Sequence, residues 1–274
     1  MIWVMLAAAF AGSVSGHIYG HDGRPVQQAM IYVINPGLQA AQTTTNDEGA
    51  FLLVGLPNGQ YRLWVQPRDG DTHLARYYPD AAVYCDGDLF DVSDGDVDVD
   101  LTLPLGVSFH GRVIRADGSG IGDVRVRGES ESGATPRHGV SELDGTFQIH
   151  GLDPDHSWKL QASKTGLPTQ WLGRTYDRDV ATELSAAQDH HIGDWPLMSG
   201  IVVEGGVLGP NGPVEDATVR AYSSRQLVQT TTNTGGEYRA TGLPPGEVTA
   251  WAEAPGLATT YLPDADRPTE SVLV

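Results

Sequence analysis

At 274 residues and 40% hydrophobic content, the chain is long enough for two or three compact domains and too apolar for wholesale disorder. Its net charge of −18, from 35 acidic against 17 basic residues, repels phosphate backbones and argues against nucleic acid as a partner. The single cysteine, Cys85, rules out an intrachain disulfide and a cysteine-based metal site.

In chain order, residues 1–13 form an apolar run that fits a signal peptide, with Ala9-Phe10-Ala11 as a small-residue cleavage site and no basic residue ahead of it. The run is too short to span a membrane, and no other stretch offers a span. Export, to the cell envelope or beyond it, is the expectation. The remainder, with 34 Gly and 17 Pro between short Val, Leu and Tyr runs, reads as short strands and tight turns, hence an all-β chain. The best helix candidate is a short one at 181–188.

The strands come in three copies. Gly16, Gly111 and Gly205 each open a short strand, 95 (111 − 16) and 94 (205 − 111) residues apart. Gly23, Gly118 and Gly212 then mark a turn before a β-branched strand. Gly49, Gly145 and Gly236 follow in hairpin turns where a positive φ is expected. Phe51, Phe147 and Tyr238 begin a strand that ends in Gly55-Leu56, Gly151-Leu152 and Gly242-Leu243. These leucines are apolar plugs, after which Pro and Gly turn the chain into the next strand. There Tyr61, Leu63 and Val65 share one face, and Arg62 and Trp64 the other. A repeat of this length predicts self-sufficient sandwiches at 14–104, 105–198 and 199–274. By comparison with the first copy, the third stops short of a final strand.

The order G-x-V, G-x-P-(I/V)-x-x-A-x-V, T-x-x-D-G-x-F and G-L-P-x-G-x-Y resembles the carboxypeptidase regulatory-like domain, a transthyretin-like, seven-stranded sandwich grouped with carbohydrate-binding-like folds. Gly23, Pro25, Val26, Ala29, Asp47, Gly49, Phe51, Gly55, Leu56, Pro57, Gly59 and Tyr61 carry the likeness in the first copy. Gly212, Pro213, Val214, Ala217, Gly236, Tyr238, Gly242, Leu243, Pro244 and Gly246 carry it in the third. The middle copy departs most: it lacks the Pro before Ile121 and reads Asp153-Pro154 in place of Pro-x-Gly. The resemblance implies fold more than function, since such domains serve as accessory, adhesive and surface modules.

The chain has no His-x-x-Glu or His-Glu-x-x-His zinc pattern and no Gly-x-Ser-x-Gly, so no catalytic residue is assigned and no enzyme is expected. His190, His191 and Asp194 include ligand types, but adjacent strand residues face opposite ways, which favours solvent-exposed histidines. Asp94, Asp96 and Asp98, with Asp86, Asp88, Asp91 and Asp100, are the weak candidates for Ca²⁺, the one cofactor considered. A solvated acidic strand face is the preferred reading. Trp64 and Trp251 lie five residues after Gly59 and Gly246, on the face away from the core. With Tyr78 and Tyr261 they are the ligand-contact candidates, unless the loops at 78–80 and 262–264 cover them. The expected role is a non-catalytic, exported binding or structural array whose partner is a carbohydrate or a protein at the cell surface. The alternative is an accessory portion of a larger envelope protein or hydrolase whose catalytic domain lies elsewhere.

Overall fold

The structure, a computed structural model, describes residues 11–35, 41–93, 95–261 and 272–273. Residues 1–10, Asp94 and the 262–264 loop, on which some expectations rest, lie outside the described residues.

The chain is all-β, and each repeat builds two main sheets around its own hydrophobic cluster, the third adding the two-stranded β-hairpin at 208–213. The first comprises β1 (Ala11–Gly20), β2 (Met30–Ile34), β3 (Ala41–Thr44), β4 (Ala50–Pro57), β5 (Gln60–Gln66), β6 (Arg76–Tyr77), β7 (Phe90–Asp91), β8 (Val97–Asp98) and β9 (Leu101–Leu103). One sheet orders β4-β1-β8 with β9 also on β1, and the other β3-β2-β5-β6 with β7 also on β5. The second repeats this arrangement with β10 (Val107–Ile114), β11 (Arg125–Ser130), β12 (Arg137–Val140), β13 (Thr146–Leu152), β14 (Ser157–Lys164), β15 (Leu167–Trp171), β16 (Glu183–Ser185) and β17 (His190–Pro196). The third has β18 (Ile201–Gly206), β19 (Leu208–Gly209), β20 (Gly212–Pro213), β21 (Thr218–Ser223), β22 (Gln226–Thr231), β23 (Glu237–Leu243), β24 (Glu247–Glu253), β25 (Thr260–Tyr261) and β26 (Val272–Leu273).

Two expectations change. Strand β1 already begins at Ala11, so the first sandwich starts inside the leader-like segment rather than at residue 14. The helix candidate at 181–188 is instead the strand β16, because Leu184 turns into the core while Glu183 and Ser185 face out, a period of two. In the first two modules a parallel strand closes the sheet, β8 and β9 on β1 and β17 on β10. Among the described residues β18 pairs with β23 alone, while β26 pairs with β24 as β7 does with β5.

Alternation builds the cores. Tyr61, Leu63 and Val65 are buried on β5, and Ile31 and Val33 oppose them from β2. Trp158 and Leu160 take these places on β14, and Val248 and Ala250 on β24. Below each core a buried hydroxyl does the same work three times. Thr45 Oγ1 accepts from Ala29 N at 2.9 Å and donates to Val26 O at 2.7 Å. Ser141 Oγ repeats this with Val124 N and Ile121 O, and Thr232 Oγ1 with Ala217 N and Val214 O. Each hydroxyl thereby satisfies two backbone groups that would otherwise be stranded away from water. The glycine after it, at 49, 145 or 236, has φ of +73° to +88°. A Cβ at Gly49 would stand 2.6 Å from the Ile18 carbonyl oxygen, so both conformation and space demand glycine.

The Gly-Leu corner is where modules meet. A Cβ at Gly151 would stand 2.7 Å from the His73 carbonyl of the first module, and one at Gly242 would stand 3.1 Å from Leu167 N of the second. At Gly55 nothing among the described residues comes within 4 Å. Around Gly151, the buried Arg137 donates to the carbonyls of Pro67, Arg68 and Asp71 at 2.9–3.2 Å. Asp153 sits where the other copies carry Pro57 and Pro244. Its Oδ2 accepts from Arg76 Nη1 at 2.8 Å, and the side chains are 5% and 11% exposed. The departure of the middle copy from the repeat is thus an inter-module ion pair. At the other junction the Gln226 amide pairs with both the N–H and the carbonyl of Thr169.

Three outcomes follow from this framework. Replacing Thr45 or Thr232 by Val strands two buried backbone groups and costs about 1–3 kcal/mol each in chemical denaturation. Arg76→Ala leaves Asp153 buried without its cation and costs on the order of 3 kcal/mol, read as a lower melting temperature of the first two modules. Gly55→Ala meets only the left-handed backbone penalty of about 1 kcal/mol, whereas Gly151→Ala adds a steric clash and opens the junction to limited proteolysis.

Candidate functional site

The outward face of β5 carries Arg62 and Trp64 because the inward parity is taken by the core residues. Register then decides the neighbours of Trp64: Tyr32 opposite on β2, Tyr77 opposite on β6. The rings form a row. Tyr32 and Trp64 stack with centroids 4.8 Å apart and planes at 28°, and Trp64 and Tyr77 at 5.9 Å and 21°. Tyr84 meets Tyr77 edge-on at 5.8 Å, and the Arg62 guanidinium lies 4.6 Å from the Tyr84 centroid while its Nε donates to Gly87 O. All five side chains are half-buried. Burial pushes the Tyr77 phenol above its ordinary pKa, so it stays neutral and keeps both a donor and an acceptor at neutral pH. The strip therefore offers a row of half-buried aromatic rings bordered by hydroxyls and one cation.

Tyr78, the residue singled out beside Trp64, packs against the core instead. The residue that meets Trp64 is Tyr77, one position earlier and so on the opposite face. A signal for this was available: matching the 78–80 and 262–264 loops sets Tyr77, not Tyr78, against Tyr261. The structure brings Trp251 and Tyr261 together as cross-strand partners with centroids 6.1 Å apart. Trp251 Nε1 donates to Glu253 Oε1 at 3.1 Å, and Arg220 pairs with the same carboxylate. The hydrogen bond from Arg220 is the main cause that holds the Glu253 carboxyl below its ordinary pKa. Trp251 and Tyr261 line a cleft of about 760 Å³ with Val207, Leu208, Tyr238 and Leu257. In the middle module Gln161 stands in the tryptophan position and its partner is Trp171, with Arg178 5.8 Å from that ring. The first and third modules thus present aromatic rings on the outer face of this sheet, whereas Trp171 of the middle module is buried.

The acidic strand behaves as a ladder. Ser13 Oγ donates to Asp96, Ser15 Oγ to Asp98 and His17 N to Asp100, at 2.6, 3.1 and 2.7 Å. One carboxylate for every second β1 residue spreads these oxygens along the strand, and a calcium ion needs them converging. His190 and His191 face opposite ways: His190 lies edge-on to the core residue Phe109, and His191 stacks on His110 at 4.9 Å. His110 and His191 line a groove of about 810 Å³ with His138, His150 and Asp194, and Asp69 of the first module lies 2.8 Å from His138. The convergence that sequence reasoning missed lies elsewhere. His21, Asp22 and His73 place their ligand atoms within 4.8 Å of one another, joining residues far apart in the chain. Cys85 is exposed, with a free thiol. No helix among the described residues is long and apolar enough to cross a membrane.

Comparison with known proteins matches the family model "Carboxypeptidase regulatory-like domain" to residues 13–76 and 202–271. No curated protein matches the chain. Among solved structures, the chain is similar to the Bacillus anthracis TIE protein at 14% identity and a TM-score of 0.30, covering 93% of this chain and 48% of that one. The chain thus spans about half the length of that protein. It is also similar to the shaft pilin SpaA of Lactobacillus rhamnosus GG (14% identity, 70% and 99% coverage, TM-score 0.28) and to a streptococcal ancillary pilin (10%, 93% and 96%, 0.30). The family match spares the middle repeat, the copy that exchanges the corner proline for the junction residue Asp153. Two stretches of the chain, one in its first repeat and one in its third, thus match the carboxypeptidase regulatory-like domain.

Proposed function

We propose that the chain is a non-catalytic array of β-sandwich modules at the cell surface or outside the cell, and that the Tyr32–Trp64–Tyr77 strip is its contact platform for a carbohydrate ligand. The observation that carries this reading is the row of three stacked, half-buried rings on a sheet face that the core does not need. Large aromatic rings are seldom left on a surface without a partner. The faces of sugar rings are apolar and their edges are hydroxyls, which suits a row of half-buried indole and phenol rings bordered by Tyr O–H and the Arg62 guanidinium. Trp251 and Tyr261, beside the cleft in the third module, offer a second contact point, and two points on one chain strengthen binding to a repeating polymer. The firm junction between the first two modules, built on Arg137 and the Arg76–Asp153 pair, suits a spacer that holds such points apart. The domain match supports an accessory or structural role over a catalytic one.

A glycan array followed by calorimetry on the retained oligosaccharide tests the reading. Trp64→Ala is expected to weaken binding by about 2 kcal/mol, roughly thirtyfold, with the melting temperature held because the ring lies outside the core. Binding equally tight in Trp64→Ala and in Trp251→Ala would remove both residues as platforms. Retention of a protein but of no glycan would reassign the strip to protein contact.

A further inference from the structure

The turn that follows β1 brings His21 and Asp22 to the side chain of His73, which lies in the loop joining β5 to β6 where it packs against the second module. Three features of this cluster bear on its chemistry. The first is the state of His73. Its Nδ1 lies 2.7 Å from Asp71 Oδ1, an acceptor-only carboxylate, so the neutral imidazole carries its proton on Nδ1 and presents a lone pair at Nε2. That Nε2 is buried and has no hydrogen-bond partner among the described residues. A buried nitrogen lone pair without a partner is costly, and a carboxylate–histidine pair is the arrangement that orients and strengthens a metal-ligating imidazole.

The second feature is space. Position 20 is glycine, and a Cβ there would collide with His73 Nε2 and stand 3.1 Å from Asp22 Oδ1. The missing side chain keeps the gap between the two ligand atoms open. The turn itself is closed by Gly20 N donating to Arg24 O and Gly23 N to Gly20 O, which fixes where His21 and Asp22 start. The third is the placement of the carboxylate. The Arg24 backbone N–H donates to Asp22 Oδ1 at 3.1 Å and holds that group beside the two imidazoles.

Two imidazoles and one carboxylate suit a borderline divalent ion such as zinc, cobalt or nickel, and not the all-oxygen shells of calcium or magnesium. Metal–nitrogen bonds of about 2.0–2.1 Å set neighbouring ligand atoms roughly 3.4 Å apart in a tetrahedral shell. The present spacing, within 4.8 Å, closes to that value by small side-chain rotations, chiefly of the exposed His21, toward an Asp22 carboxylate that Arg24 N–H holds in place.

We propose that His21, Asp22 and His73 bind a divalent transition-metal ion, with Asp71 as the positioning residue behind His73. Such an ion ties the first turn of the first module to the loop that makes its junction with the second. The His73 backbone pairs with Leu105, its carbonyl packs on Gly151, and Arg137 grips Asp71 O beside it. Metal binding therefore stiffens that junction as well as the turn.

The test uses the full chain without a polyhistidine tag, stripped with chelator and titrated with Zn²⁺ against a chromogenic competitor, and with Co²⁺ by its d–d absorption. One equivalent is expected to bind, and proteolysis at the 67–73 loop to slow on loading. Asp71→Asn is expected to weaken Zn²⁺ affinity about 10–100-fold, and His21→Gln and Asp22→Asn at least tenfold. His21→Gln and Asp22→Asn alter exposed side chains, so they stay folded where His73→Gln disturbs the junction. His191→Gln serves as the control and leaves affinity unchanged. Absence of stoichiometric binding in the folded wild-type chain overturns the proposal. So does binding that His21→Gln and Asp22→Asn leave intact.

Discussion

The architecture depends on one backbone approach. Where a module begins its second half, the Gly-Leu corner bends with φ near +70° to +90°, and the loop of the preceding module lies directly against the glycine Cα. No side chain fits between them at Gly151 or Gly242. With the backbones that close, the polar groups of the loop need partners at once, and Arg137 supplies three carbonyls at the first junction. At the second, Gln226 pairs with a single peptide from both sides. Gly106 and Gly200, the entry points of the second and third modules, meet Gly151 and Gly242 at the same two places. The recurring corner is both an intramodular turn and an intermodular seat.

The junctions differ in what fills them, and the differences are chemical. The first buries an ion pair, Arg76 with Asp153, and a guanidinium whose charge burial opposes while three carbonyls stabilise it. The second buries uncharged amides, with the fully buried Gln170 bonding to both the N–H and the carbonyl of Met198, and its ion pair, Arg225 with Asp177, is solvent-exposed. Buried charge pairs tolerate little misalignment, because each partner left alone is costly. The first junction is accordingly the more specific, and the aromatic strip and the His21–His73 cluster both lie in the module that it fixes.

Much of the fold was legible because it rests on local rules. The parity that buries Tyr61, Leu63 and Val65 and turns Trp64 outward is a property of any strand. The hairpin glycines announce positive φ by their place between Asn or Asp and an aromatic residue. The buried Thr45, Ser141 and Thr232 were less visible: the threonine runs stood out as repeats, but a hydroxyl that serves two peptides some 15–20 residues away shows only once the strands are packed. The helix candidate at 181–188 failed for the same reason. Its apolar residues suit either period until Leu184 is seen to fill a core.

By itself, then, the sequence determined that there are three β-sandwich modules, which face of each strand is apolar and where the chain must turn, since these follow from side-chain periodicity and from backbone sterics within a few residues. Tertiary structure alone decided that Tyr77 rather than Tyr78 stands beside Trp64, that Asp153 answers Arg76, and that His73 closes on His21 and Asp22. Those pairings depend on strand register and on how one module seats upon the next. Both are settled by packing across long stretches of chain, where no local rule reaches.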